Sequence, residues 1–133
     1  MRYLYLVLAL SSFNSVATTY PMQEIYDKLD ITSFNSSLRP RIDLEVRNNK
    51  THFSDIKGLP KPTITKNKLI FDSDTWTNTL EVIEFNRGEY SVCFTDKAKQ
   101  GTYNSQSPFV LRRYGDTFVA INDYSEACEE YAR

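Results

Sequence analysis

The chain has 133 residues, of which 41% are hydrophobic and 25% charged, a balance that is ordinary for one soluble globular domain. Its 16 lysines and arginines and 17 aspartates and glutamates leave a net charge of −1. Proteins that bind nucleic acid normally carry a basic excess, so the charge argues against that class of partner. Aromatic residues make up 14% of the chain, and such large side chains let a short domain bury a substantial core.

The first seventeen residues have the order of a secretory signal peptide. Arg2 supplies a positive charge, residues 3–10 form an apolar run, and Ser15-Val16-Ala17 places small residues before a cleavage site. A buried helix or a membrane anchor is the alternative, but the run is about half the roughly 20 apolar residues that a spanning helix needs. We therefore expect residues 18–133 to be exported as a single globular domain, into the periplasm of a Gram-negative bacterium or otherwise outside the cell. We expect no membrane contact after cleavage.

Two cysteines in an oxidising compartment predict one disulfide, between Cys93 and Cys128. Closing the loop between them would stabilise the fold by roughly 3–4 kcal/mol on the chain-entropy model. A reactive thiol is the alternative. Cys93 has no flanking base or cation that would lower its pKa, so the sequence favours the disulfide.

The mature chain is predicted to begin with a short helix. Pro21 suits the first helical position, and Met22, Ile25 and Leu29 recur at helical spacing on one face. Residues 41–47 then alternate between polar and apolar side chains, which predicts a half-buried strand.

Further strands are expected along the second half of the chain. The prolines of residues 58–62 predict a loop, and residues 68–71 predict a strand. Residues 80–85 and 90–94 flank a short turn that contains Gly88, which predicts a β-hairpin.

The third pair of strands has the most specific turn signal. Residues 109–114 and 117–121 flank Gly115-Asp116, and Gly as the first residue of a two-residue loop predicts a type II′ turn. The polar residues 97–107 lack periodicity and are predicted to be a long exposed connection. Residues 124–131 are interpreted as a helical turn held by Cys128.

These elements predict an α+β fold in which a short N-terminal helix packs on an antiparallel β-meander. Several strands carry apolar residues on both faces, as in Val82-Ile83 and Phe118-Val119-Ala120, so something must cover the second face of the sheet. An all-β sandwich is the alternative.

Catalytic and metal-binding signals are weak. His52 is the only histidine, and a surface position explains it more simply than a ligand role. Asp72 and Asp74 form a D-x-D pair that can chelate a metal ion, but the next positions lack the remaining ligands of a calcium loop, so turn residues are the simpler interpretation. The glutamates are similarly uninformative, because no pattern places two of them across a cleft. The three candidates for glycoside hydrolysis are Glu81, Glu84 and Glu89.

Charge is unevenly distributed along the chain. Eight basic residues lie between Arg39 and Lys68, whereas the C-terminal tail is acidic, and such asymmetry can steer a charged partner. Asn35 and Asn49 each begin a glycosylation sequon, which matters only in a eukaryote.

In size, export and chemistry the chain resembles the small periplasmic inhibitors and immunity proteins of bacteria, which neutralise a toxin or hydrolase by covering its active site. Residues 76–114, with Cys93, Phe94 and Gly101-Thr102-Tyr103, look like the core of a family. The resemblance implies a non-enzymatic, exported protein that binds another protein and needs no cofactor. Tyr and Arg favour interface anchors, so Tyr103, Arg112 and Arg113 are the predicted contact residues. The alternatives are a small exported metal-dependent hydrolase or nuclease, and a secreted effector.

Overall fold

The computed structural model describes residues 18–34, 36, 38, 52–122, 127 and 128. Several predicted features lie outside the described residues. They are the leader of residues 1–17, the strand of residues 41–47, both sequons at Asn35 and Asn49, and most of the tail of residues 124–131.

The described chain forms one antiparallel sheet in which every strand pairs with the next along the sequence. The meander and the helix that the sequence predicts are both present. The helix, α1, spans Met22–Lys28, and the strands are β1 Thr63–Ile64, β2 Lys68–Asp72, β3 Trp76–Asn86, β4 Glu89–Ala98, β5 Asn104–Tyr114 and β6 Thr117–Asn122. The second sheet that a sandwich would need is not among the residues described.

Both predicted hairpins are confirmed, with turns that match their sequences. Arg87 and Gly88 join β3 to β4 with φ angles of 53° and 78°, and two positive φ values in succession are the pattern of a type I′ turn. Gly115 joins β5 to β6 with φ 59°, whereas the following Asp116 is not among the residues of positive φ. That pattern fits the predicted type II′ turn.

None of residues 97–107 is buried, as predicted, but the predicted length of the connection is wrong. Strands β4 and β5 continue through this polar stretch, with Lys97 opposite Asn104 and Thr95 opposite Gln106, so that only residues 99–103 form the loop. Polar side chains do not prevent strand formation here, because β-propensity depends on the neighbouring strands and on which face is covered.

The core lies on one face of the sheet, beneath α1 and two 3-10 turns. Met22 and Ile25 of α1 belong to the same buried cluster as Leu80, Phe94 and other alternate residues of the strands. The adjacent apolar residues Val82 and Ile83 are explained by a β-bulge. The register shifts between Val82 and Glu84, which leaves Ile83 as the extra residue.

The β6 edge of the sheet is occupied by the chain that follows α1. Leu29 forms a parallel bridge with Phe118, and the Asp30 amide donates a hydrogen bond of 2.9 Å to the Phe118 carbonyl. The Ala120 amide donates to the Ser33 hydroxyl oxygen, also at 2.9 Å. These contacts satisfy backbone groups that an exposed edge would offer to another strand.

Candidate functional site

The structure separates the three predicted contact residues. Tyr103 lies just before β5 begins, whereas Arg112 and Arg113 lie near its opposite end, about 30 Å away at 3.3–3.4 Å per residue. Arg112 and Arg113 also face opposite sides of the sheet, because neighbouring residues of a strand alternate. The three residues therefore belong to three different surfaces.

Arg113 joins the sheet to α1. Its guanidinium lies 4.5 Å from the centre of the Phe118 ring, and its Nη1 donates to Glu24 Oε1 at 2.5 Å. The hydrogen bond from Arg113, with a second one from Lys28, lowers the pKa of Glu24 to about 2. Arg113 already has an anionic partner and an aromatic partner within the domain, and both favour a structural role for it.

The contact between Glu24 and Arg113 predicts a pH-dependent contribution to stability. A carboxyl whose pKa is lowered by folding stabilises the native state above its ordinary pKa near 4.5, and this contribution is lost as the pH falls toward about 2. We expect Glu24→Gln to lower the thermal unfolding midpoint at pH 6, and the difference from the wild type to shrink between about pH 5 and 2.

The matched control is Asp27→Asn, which changes an exposed carboxylate of the same helix that accepts a hydrogen bond from Gln23. Thermal unfolding at a series of pH values measures both variants. A Glu24→Gln difference that stays constant down to pH 2 would contradict the proposed contribution.

Arg112 lies on the face opposite the core. Its Nε donates to Glu89 Oε1 at 2.6 Å, and its Nη2 donates to the same oxygen. The hydrogen bond to Glu89, with a further one to Tyr114, raises the pKa of Arg112, so its positive charge is secure. The Arg112 side chain is still 50% exposed, which leaves part of the guanidinium accessible to a partner.

A hollow of about 490 Å³ lies beside this ion pair on the same face, at the end of the sheet that carries the β3–β4 turn. Its walls combine charged, polar and apolar side chains. They are Glu84, Asn86, Arg87, Glu89, Ser91, Val110 and Arg112. Two of the glutamates that the sequence offered, Glu84 and Glu89, thus line one hollow, but Arg112 already pairs with Glu89. The third, Glu81, pairs with Lys68 at 3.9 Å.

Exposed apolar side chains lie at the same end of the sheet as this hollow, with Phe85 on the core face, where its ring packs against Tyr90 at 4.5 Å. Ile83 is 44% exposed, Phe85 52% and Tyr114 54%. We call these three residues together with Arg112 the hairpin-end surface. The sequence predicted only Arg112 among these four residues. The other three come to the same end of the sheet through the bulge at Ile83 and the register of β3, β4 and β5, which the sequence does not reveal.

Tyr103 belongs to a smaller aromatic contact at the opposite end of the sheet. Its ring packs edge-on against Trp76 with centroids 5.4 Å apart, and 53% of the residue is exposed. Its carbonyl accepts a hydrogen bond of 2.9 Å from the Ala98 amide, which closes the β4–β5 loop.

Asp72 lies close to this loop and is already paired. Lys99 Nζ is 2.7 Å from its Oδ1, and Thr77 Oγ1 donates to the same oxygen at 3.1 Å. The hydrogen bond from Lys99, followed by that from Thr77, lowers the pKa of Asp72. A cation bound this closely competes with a metal ion for the carboxylate.

The other candidate residues lie apart from Asp72. Asp74 is exposed in the turn between β2 and β3. His52 precedes the 3-10 turn Phe53–Asp55, where its Nδ1 lies 3.6 Å from Asp55 Oδ2. Within the described part of the chain, no group of three His, Cys, Asp or Glu side chains is placed to hold a metal ion.

The two cysteines lie at disulfide distance, with Cα atoms 5.3 Å apart. Both are buried, Cys93 in β4 and Cys128 near the C-terminus. Cys93 lies opposite Glu81 and Pro108, on the same face as Arg112, so the bridge fastens residue 128 to the face that carries the hollow.

Comparisons with known proteins give no relative for this chain: no family model, curated protein or solved structure matches it. Among the residues described, no helix has the length and apolar character to cross a membrane.

Proposed function

We propose that this chain is an exported, non-enzymatic protein that binds another protein through the hairpin-end surface, as an inhibitor or immunity protein binds a toxin or hydrolase. The observation that carries the proposal is that exposed apolar side chains and an arginine lie at the same end of the sheet. Among the described residues, five large apolar side chains are exposed, and Ile83, Phe85 and Tyr114 lie at this one end. Aromatic residues and arginine are the commonest anchors of protein interfaces.

The backbone of the sheet edges offers less to a partner than these side chains do. At the β6 edge, Asp30 and Ser33 already bond to the strand, and β1 is only two residues long. Addition of a partner strand needs a longer row of free amide and carbonyl groups. Contact through side chains is therefore the mode that this arrangement favours.

In this proposal the two faces of the sheet have different roles. Helix α1 packs on one face and closes the core, and Arg113 secures it through Glu24. The opposite face carries Arg112 and the hollow, held by the pairing with Glu89 and by the disulfide. A rigid platform of this kind lowers the entropic cost of binding, since few groups must be ordered on association.

The arrangement around Asp72 does not favour the alternative of a metal-dependent hydrolase or nuclease. Lys99 and Thr77 both bind one oxygen of the Asp72 carboxylate, Oδ1, and the Lys99 cation would have to be displaced by a metal ion there. We therefore put the protein-binding function first.

Affinity capture from the envelope or medium of the source cells tests the proposal. The wild-type domain is expected to retain one protein in stoichiometric amount. We expect Tyr114→Ala and Phe85→Ala each to weaken binding of the captured protein by about tenfold or more, as is typical of truncated interface anchors. Titration calorimetry measures the affinities, and thermal unfolding establishes that each variant is folded.

The matched control is Tyr103→Ala, which removes an equally exposed tyrosine from the other end of the sheet. It is expected to bind like the wild type. Recovery of background proteins alone would refute the binding function. Loss of binding by Tyr103→Ala, with the other two variants unaffected, would move the contact to the opposite end of the sheet.

A further inference from the structure

Arg87 occupies the tip of the β3–β4 hairpin in a backbone conformation that arginine rarely adopts. Its φ is 53°, and it is the one residue other than glycine with positive φ in the described part of the chain. Type I′ turns favour Asn, Asp or Gly at this position, because a Cβ atom is disfavoured in the left-handed region. The turn is well supported, since β3 and β4 pair from Asn86 and Glu89 at the tip to Trp76 and Ala98 at the far end.

Arg87 also differs from its neighbours in its electrostatic surroundings. Arg112 is paired with Glu89 and Arg113 with Glu24. No described carboxylate is within ion-pair distance of Arg87, and its side chain is exposed on the rim of the hollow. A cation in this position can bind an external anion without first breaking an internal ion pair.

The positive φ of Arg87 and the absence of a described carboxylate within ion-pair distance of it both indicate a binding role for this side chain. Unfavourable backbone conformations are concentrated at binding and catalytic sites, where a function offsets their cost. Asparagine would suit the turn better, so the turn alone does not account for arginine here. The guanidinium is the feature that asparagine lacks, and it forms paired hydrogen bonds with carboxylates.

We propose that Arg87 enters an acidic cleft of the partner protein and forms a hydrogen-bonded ion pair with a carboxylate there. This inference rests on the proposed function, and it names the chemistry of the partner. Phe85 and Ile83 precede the tip and would pack against the apolar rim of the cleft. Glu89 on the same hollow is paired with Arg112, so Arg87 is the cation that would meet the carboxylate of the partner. The chain as a whole carries a net charge of −1, and Glu84 also lines the hollow, so the attraction comes from the Arg87 guanidinium and not from an overall positive field.

The test compares Arg87→Asn with the wild type, using the protein captured by the wild-type domain as the binding probe. Asparagine suits the turn better than arginine, so the thermal unfolding midpoint should stay the same or rise. The affinity should fall by at least tenfold at low salt. The wild-type affinity should weaken with added salt more steeply than that of the variant, because one ion pair has been removed.

Two further variants sharpen the result. Arg87→Lys keeps the charge but loses the paired hydrogen bonds, and its affinity should lie between the other two. Lys97→Asn removes an exposed cation near the opposite end of β4 and should bind like the wild type.

The failures of the two proposals can be told apart. If Arg87→Asn binds the captured protein as tightly as the wild type, or if the contacted surface of that protein is basic, the acidic cleft is refuted and the binding function remains. If the wild-type domain captures no stoichiometric protein, both are refuted.

Discussion

Replacing both cysteines by alanine, Cys93→Ala with Cys128→Ala, is expected to lower the free energy of unfolding by roughly 3–4 kcal/mol. The reason is the 35-residue separation of the bridged positions, since a cross-link of that span removes many conformations from the unfolded chain. The bridged loop contains all of β5 and β6, so the unfolded state of the variant gains freedom over two strands. Urea denaturation followed by far-ultraviolet circular dichroism measures the loss.

Reduced wild-type protein provides the control, because it lacks the cross-link and keeps both side chains. Its stability should lie close to that of the double variant, with the difference reporting the packing of two buried sulfur atoms. A double variant within about 1 kcal/mol of the oxidised wild type would contradict the prediction. If the native protein contained two free thiols, the predicted loss of stability would have no disulfide to account for it.

The hairpins were predictable because a turn is encoded by a few adjacent residues. The cysteine pair was predictable because the chain contains only two cysteines. Gly88 and Gly115 mark turns that few other residues can form, and an even number of cysteines suggests a bridge once export is assumed. The helix at Met22 and Ile25 was predictable for a similar reason, since its apolar spacing is complete within eight residues.

The candidate surface was not predictable, because it depends on contacts between strands. The sequence separates Glu89 from Arg112 by 23 positions, and only the β4–β5 register makes them opposite neighbours. Adjacent apolar residues at Val82 and Ile83 indicated a second covered face, whereas the bulge sends Ile83 to the exposed end of the strand. A bulge has no sequence signal that periodicity can detect.

The error over residues 97–107 has the same origin. Polar residues between two apolar segments resemble a loop when only periodicity is considered, yet pairing of Lys97 with Asn104 extends both strands into this stretch. Just before it, Asp96 is 4% exposed and pairs across the sheet with Asn78. A buried carboxylate in a strand is exceptional, and the sequence gives no warning of it. Asn78 and Asp96 thus form a buried polar pair beside this exposed stretch. We therefore expect a large loss of stability when Asn78, which looks like a surface residue in the sequence, is replaced.

Asn78→Ala is expected to lower the free energy of unfolding by about 3 kcal/mol. Asn78 is 2% exposed, and its Nδ2 donates to Asp96 Oδ1 at 2.5 Å. Removal of this donor takes a charge-assisted hydrogen bond away from a carboxylate that water cannot easily reach. Asn78→Leu restores most of the lost volume without a donor, so it should be destabilised nearly as much. Urea denaturation of both variants separates the hydrogen bond from the cavity.

Asn86→Ala is the matched control, since Asn86 lies at the exposed end of the same strand, and its replacement should change stability by no more than about 0.5 kcal/mol. If Asn78→Leu were as stable as the wild type, the asparagine would serve only to fill space, and the contact with Asp96 would contribute little. The expected ranking, with both Asn78 variants well below Asn86→Ala, would instead show that the polar end of the sheet is held by a buried hydrogen bond.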